Sequence, residues 1–187
     1  MRIVALVKQV PSDEATELAM SPDCRRAVSQ AVDLADHSDG SCTFITLGPP
    51  SAEDTLREAL AWALERDVPA DGVRVVDVHG DRASASSDVH ATAHALAVAI
   101  ERLGPFDLVV LGQASSDAAA VHLGPELATL LGIPYLADAG WVPADPVVPT
   151  VLSTSERLVI DPCAVDLPGR AAVPAHLLRT LSAAGLR

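Results

Sequence analysis

The residues best suited to chemistry lie between Asp107 and Pro125, in the stretch DLVVLGQASSDAAAVHLGP. An apolar run ends at Gly112, a small polar turn follows, and a helical pattern then begins. A buried strand that ends at glycine and leads into a helix often builds an anion or nucleotide site. Glycine lets the backbone come close, and the first helical turn carries unpaired N–H groups. An ordinary connection between a strand and a helix shows the same pattern, so both interpretations stay open.

A second hypothesis for this stretch is nucleophilic catalysis. Ser115, Ser116, Asp117 and His122 would supply a nucleophile, an acid and a base. Serine hydrolases of the α/β type place the nucleophile in a strained G-x-S-x-G turn, and this stretch contains no such turn. Hydrolysis through this cluster is therefore the weakest of the functional hypotheses.

Other residue patterns point to no specific chemistry. His90 and His94 are spaced to share one face of a helix and could bind a metal together, but no third ligand is close in sequence. Gly112 opens neither a G-x-G-x-x-G pattern nor a P-loop. Cys24 lies near a predicted helix N-terminus, which can lower a thiol pKa, but no partner base is evident. We interpret Cys24 as a small, half-buried residue.

The composition favours a single α/β domain with an aliphatic core. The chain has 187 residues, of which 49% are hydrophobic and only 3% aromatic, as in sheets of buried parallel strands. The net charge of −12 argues against nucleic acid or a membrane surface as a partner. The sequence shows no secretory signal and no membrane-spanning segment, and its three scattered cysteines form no disulfide or zinc pattern. We therefore expect a cytoplasmic protein.

Strand and helix patterns alternate along the first three quarters of the chain. This alternation predicts an open parallel sheet with helices on both faces, and such sheets bind ligands beyond the carboxyl ends of their strands. Ser21-Pro22-Asp23 is predicted to supply the capping residues of the first helix, and Ser51 is predicted to cap the second. Leu56, Leu60 and Leu64 are predicted to form the buried stripe of the second helix. The predicted strands cover residues 2–7, 41–47, 73–78, 108–111 and 135–141, and the predicted helices cover residues 24–37, 51–66, 88–103 and 118–131.

The character of the sequence changes after Trp141. Six of the 14 prolines lie between Pro143 and Pro174, which interrupts the strand-like pieces at residues 147–152 and 158–160. We therefore predict an α/β domain over residues 1–141 and a Pro-rich tail over residues 142–187. The tail is expected to be extended and partly edge strand rather than a domain with its own core.

Several stretches of the sequence form a recognisable set when taken together. They are IVALVKQVP at 3–11, SPDC at 21–24, LGPP at 47–50, TLREALA at 55–61, residues 88–100, GPFDLVVLG at 104–112, and residues 124–134. In order and spacing, over roughly residues 1–137, they resemble the beta subunit of electron transfer flavoproteins, as a divergent and shortened member.

The resemblance implies a fold of the adenine-nucleotide-binding (HUP/Rossmann-like) type. It also implies a heterodimer with an alpha subunit that holds most of the FAD contacts, while the beta subunit binds AMP, or a second FAD in bifurcating members. Electrons would pass from a dehydrogenase through the flavin to a quinone reductase, with no bond-making chemistry by the beta subunit. The implied cofactor-binding residues are Leu6, Ser21, Pro22, Asp23, Cys24, Leu47, Gly112, Ala114, Ser115, Ser116, Asp117, Ala118, Ala119, Ala120, Val121, His122, Leu123, Gly124 and Pro125.

The sequence departs from the family pattern at several of these positions. In the family's loop after the strand, Asp117 is kept, Ala119 replaces a second Asp, and His122 replaces a later Gln. Ser21 replaces an Asn. The family's dehydrogenase-recognition loop and the arm that wraps the alpha subunit have no recognisable counterpart after Trp141. The alternative hypothesis is a degenerate nucleotide-binding or structural α/β domain without flavin.

Overall fold

The computed structural model describes residues 1–11, 18–76, 89–113, 120–137, 148–154 and 175–182. Seven parallel strands form one sheet in the order β7-β8-β6-β1-β4-β5-β9, and β2 and β3 form a separate antiparallel hairpin. The strands are β1 (Arg2–Leu6), β2 (Gln9–Pro11), β3 (Leu18–Met20), β4 (Ser41–Leu47), β5 (Ala70–Val76), β6 (Leu108–Gly112), β7 (Tyr135–Leu136), β8 (Thr150–Thr154) and β9 (Leu178–Ser182). The helices are α1 (Pro22–His37), α2 (Glu53–Glu65), α3 (Val89–Leu103) and α4 (Ala120–Leu131), with 3-10 turns at Pro50–Ala52 and Ala175–Leu177.

The central strands are buried on both faces, because helices cover each side of the sheet. On one face α1 and α2 pack against alternate strand residues that include Ile3, Ala5 and Phe44. On the other face α3 and α4 pack against the intervening residues, among them Val4 and Ile45. This alternation of faces is the two-residue period of a strand. The predicted α/β fold class, with a parallel sheet between helices, is confirmed.

The strand order reverses between β1 and β6. From β1 the chain builds outward through α1, β4, α2 and β5, and α3 then returns it to β6 on the other side of β1. Adjacent helices therefore leave this position on opposite faces, which opens a crevice at the carboxyl ends of β1 and β6. We call this position the switch point, and it is where a ligand of such a sheet is expected.

The hairpin β2–β3 is a feature that the sequence did not predict. Both of its strands lie outside the predicted strands, and Leu18–Met20 pairs in antiparallel register with Gln9–Pro11. Met20 is buried in the core under α1 and α2, and the Gln9 amide donates a hydrogen bond to the Ser51 carbonyl at 2.9 Å. These tertiary contacts, rather than local preference, explain the strand at residues 18–20. Residues 12–17 lie outside the described residues.

Two details predicted for α2 are wrong. The chain enters α2 through the 3-10 turn, so the N-cap is Ala52 without a side-chain hydrogen bond, while the Ser51 hydroxyl donates to Gln9 Oε1 at 3.2 Å. Leu56 and Leu60 are buried as expected, but Leu64 is 41% exposed. Each step of four residues rotates about 40° around a helix axis, so Leu64 has turned away from the sheet. Asp88, the first residue of the predicted helix at 88–103, lies outside the described residues.

The two strands described after residue 141 both belong to the sheet. Thr150–Thr154, which overlaps the predicted edge strand at 147–152, lies between β6 and β7 and is therefore not an edge strand. Leu178–Ser182 was not predicted, and it forms the opposite edge beside β5. The division of the chain at residue 141 stays a prediction, and residues 158–160 lie outside the described residues.

Candidate functional site

The first turn of α1 is fixed at the switch point by hydrogen bonds from Ser21. The Ser21 N–H donates to the Lys8 carbonyl, just after β1, at 3.0 Å, and the Ser21 hydroxyl accepts a long bond from the Cys24 N–H at 3.5 Å. Pro22 occupies the first helical position, where its missing N–H costs nothing. The predicted N-cap at Ser21 is confirmed, and α1 begins two residues earlier than the pattern indicated.

Gly112, the last residue of β6, lies directly against this turn. A Cβ atom at Gly112 would stand 2.7 Å from the Cβ of Asp23 and 2.9 Å from its carbonyl carbon, closer than such atoms approach. Glycine is therefore required here because the backbone of α1 occupies the space of a side chain. Of the predicted residues, Gly112 thus lies against the Ser21–Cys24 turn, while Leu6 ends the neighbouring strand β1 and packs on the other face of the sheet.

The charges around the first turn of α1 are paired. Arg26 forms an ion pair with Asp23, three residues before it on the same helix. Arg25 Nε lies 2.8 Å from Oε1 of Glu58 on α2, and the Glu58 side chain is only 8% exposed. A buried carboxylate needs such a partner. The pairing of Asp23 reduces the repulsion that its carboxylate would exert on an anion at the helix N-terminus.

Cys24 lies inside the first turn of α1, but its environment does not activate the thiol as a nucleophile. Burial raises the pKa of the Cys24 thiol, and the lowering effects of hydrogen bonds from the Lys8 backbone and the Ser21 side chain are smaller. The residue is 8% exposed, so it is buried rather than half-buried as predicted. Cys24 therefore packs the helix start against the core and is not a nucleophile at neutral pH.

Two further predicted residues, Leu6 and Leu47, end the neighbouring strands β1 and β4. Leu6 is buried and Leu47 partly buried in the core beneath α3 and α4. Sequence reasoning missed the buried threonines of this sheet edge, Thr46 on β4 and Thr154 on β8. The sequence offered no signal for them, because β4 and β8 each carry two further hydroxyl residues.

The remaining predicted residues follow β6. Ala114, Ser115, Ser116, Asp117, Ala118 and Ala119 lie outside the described residues, while Ala120 and Val121 open α4. His122 and Pro125 are exposed, and Leu123 is partly buried against the α3–α4 core. Gly124 has a packing role, because a Cβ there would lie 2.5 Å from Cε2 of Tyr135. A nucleotide-binding role for these residues stays a prediction.

The alternative chemistries gain no support from the described residues. His122 lies there on an exposed surface, and the serines and the acid of its proposed cluster lie outside them. His90 contacts Glu126 of α4 instead of sharing a ligand with His94. Within the described ranges, no group of three His, Cys, Asp or Glu residues could hold a metal ion. Nor is any helix in those ranges long and apolar enough to cross a membrane.

The strand order and the residues at the carboxyl ends of the strands define a doubly wound α/β domain. The N-terminus of α1 lies at its switch point. The model of the electron transfer flavoprotein domain matches residues 11–157. An electron transfer flavoprotein subunit beta of Thermoanaerobacterium thermosaccharolyticum is 34% identical, with 73% of this chain and 54% of the relative covered. Protein FixA of Azorhizobium caulinodans is 32% identical, covering 71% and 50%. The acryloyl-CoA reductase electron transfer subunit gamma of Anaerotignum propionicum is also 32% identical, covering 73% and 54%.

The chain belongs to the electron transfer flavoprotein family. Two of these relatives are named as electron transfer subunits, and the resemblance to beta subunits expected from the sequence is confirmed. The chain matches only about half the length of these curated relatives.

Proposed function

We propose that this protein is a beta-like electron transfer subunit that pairs with a flavin-bearing, alpha-like subunit. The pair would carry electrons from a dehydrogenase to a quinone reductase, and this chain would make and break no bonds itself. The observation that carries the proposal is the start of α1, packed on Gly112 at the switch point of a chain of this family. We expect the complex in the cytoplasm, in keeping with the free, buried thiols of Cys24 and Cys42.

AMP is the ligand that we propose for the switch point. The first turn of α1 carries the positive end of a 16-residue helix, which suits a phosphate group. The pairing of Asp23 with Arg26 removes an obstacle to that anion. Leu6 and Leu47 would flank the adenine from the ends of β1 and β4. AMP supplies no redox chemistry, so its role would be to order the edge of the subunit that faces its partner.

One observation favours the alternative of a structural domain without nucleotide or flavin. In many nucleotide sites a glycine at a strand end lets the ligand approach the backbone. Here the space beside Gly112 is taken by Asp23 of the same chain. A glycine that serves only the packing of α1 on β6 would be kept even in a domain that binds nothing.

Co-expression of the full chain with the product of the neighbouring reading frame tests both candidates. The proposed function predicts a yellow complex with a flavin absorbance spectrum, and AMP in its acid extract by mass spectrometry. The Gly112→Ala variant should lose AMP, because it displaces the start of α1. Gly48→Ala, at the edge but with a milder contact, is the matched control and should keep it. A colourless chain that never associates with the flavin-bearing product would favour the structural alternative.

A further inference from the structure

Thr154, the last residue of β8, buries a hydroxyl group without a hydrogen-bond partner. The residue is 2% exposed, and its Oγ1 finds no partner among the described residues. It follows two apolar buried residues, Val151 and Leu152, and the hydrogen-bonded Ser153. Valine has nearly the same shape and would avoid the penalty of an unpaired buried hydroxyl. A threonine in this place therefore calls for a functional explanation.

The position of Thr154 connects it with the switch point. Thr154 pairs with Gly112 in the β6–β8 ladder, two residues beyond the pair Val110 and Leu152. Val110 and Leu152 both pack on the α1 side of the sheet, so the alternation of strand residues directs Thr154 to that side as well. There the gap left by Gly112 is filled by Asp23. The Thr154 side chain therefore lies on the face of the sheet that carries α1, beside the strand end on which the first turn of α1 packs.

A second threonine, Thr46, is buried in the same way but lies away from the switch point. Thr46 is 1% exposed, its Oγ1 also lacks a partner among the described residues, and it follows Phe44 on the same face of the sheet. Thr46, however, is the penultimate residue of β4, which is separated from β6 by β1, and its partner in the neighbouring strand β5 is Arg74. Thr46 thus has the burial and chemistry of Thr154 without its contact with the Gly112 strand.

We propose that Thr154 is a specificity-determining residue of the switch point, whose hydroxyl donates a hydrogen bond to a phosphate oxygen of the bound nucleotide. The phosphate would lie over the first turn of α1, with the positive end of the helix on one side and Thr154 on the other. This inference rests on the proposed function, because it requires a nucleotide at the switch point. It adds β8, a strand beyond residue 141, to the elements that hold the nucleotide.

The test compares AMP with adenosine, which lacks the phosphate, on three versions of the full chain in its co-purified complex. The versions are wild type, Thr154→Val and Thr46→Val, each stripped of nucleotide and titrated by calorimetry. Thr154→Val should weaken AMP binding by at least about tenfold, the usual worth of a hydrogen bond to a charged group, and leave adenosine binding unchanged. Thr46→Val should bind both ligands as wild type does. Neither variant should lower the thermal unfolding midpoint of the free chain, since each removes an unpaired hydroxyl.

Several outcomes would overturn the inference while the proposed function stands. One is AMP affinity of Thr154→Val equal to that of wild type. A second is equal loss of AMP and adenosine, which would indicate distortion of the site. A third is a lowered unfolding midpoint for Thr154→Val, which would mean that the hydroxyl has a protein partner. The same loss of AMP in Thr46→Val would also contradict it. Wild type that binds neither ligand would instead refute the nucleotide site itself.

Discussion

The helices α1 and α2 begin at the same edge of the sheet, on the same face, yet their first turns are built differently. The α1 turn has a side-chain cap from Ser21, a backbone bond to Lys8 and close packing on Gly112. The α2 turn has no side-chain cap, enters through a 3-10 turn, and uses Ser51 to hold Gln9 of the hairpin. Of the two helix starts, only that of α1 packs on the switch point, and it is therefore the candidate ligand site. The α2 start, one strand further out, serves instead to anchor the hairpin.

The largest difference is expected between the two glycines beneath these turns. In Gly112→Ala the new methyl group meets the backbone of Asp23 at less than 3.0 Å, so α1 must shift. In Gly48→Ala it stands 3.1 Å from the Ala52 methyl group, where a small adjustment suffices. We expect losses in unfolding free energy of about 2 kcal/mol for Gly112→Ala and under about 1 kcal/mol for Gly48→Ala, measured by urea unfolding. Equal losses would mean that the two helix starts are packed equally tightly.

A second difference concerns the ion pairs that join α1 to α2. Arg25 in the first turn of α1 neutralises Glu58, whose side chain is 8% exposed, whereas Arg66 after α2 pairs with Asp33, which is 19% exposed. Arg25→Met leaves a buried carboxylate without its partner and should cost about 1 to 2 kcal/mol, a value reduced because Arg25 itself is half exposed. Arg66→Met should cost less than about 0.5 kcal/mol. The double variant Arg25→Met/Glu58→Leu should recover most of the first loss, and failure to recover it would contradict this role for the pair.

The two serines before the helices allow the most direct comparison, because the sequence predicted a capping role for both. Ser21→Ala removes the side-chain oxygen that accepts the Cys24 N–H and should cost about 1 kcal/mol. Ser51→Ala removes only a partly exposed contact with Gln9 and should change stability by less than about 0.5 kcal/mol. Thermal and urea unfolding of both variants decide the matter. If Ser51→Ala loses as much unfolding free energy as Ser21→Ala, Ser51 does cap α2, which would contradict the assignment of Ala52 as the N-cap.

Local sequence patterns predicted some parts of the structure and missed others. The alternation of strand and helix patterns was enough for the fold class, because periodicity and turn residues are local signals. The hairpin residues Leu18–Met20 and the position of β8 between β6 and β7 depend on tertiary pairing, to which local patterns are blind. The glycine that ends β6 indicated a close approach at this position, but that Asp23 of α1 makes the approach depends on the tertiary structure. Thr154 was missed because its place opposite Gly112 depends on the pairing of β6 with β8, which the sequence alone does not show.

The smallest effect is expected in the reactivity of the two buried thiols. An exposed thiol reacts faster with rising pH until about pH 9 and then levels off, because the thiolate is the reactive form. Burial raises the pKa of Cys42 to about 12 and also raises that of Cys24, so both thiols stay protonated at pH 8. In a Cys163→Ser background, neither should react measurably with a disulfide reagent at pH 8 until urea is added. If Cys24 alone reacts in the native protein, the first turn of α1 opens on its own. The first turn of α1 would then be a segment that opens and closes, and its difference from the first turn of α2 would not be that it is held more firmly.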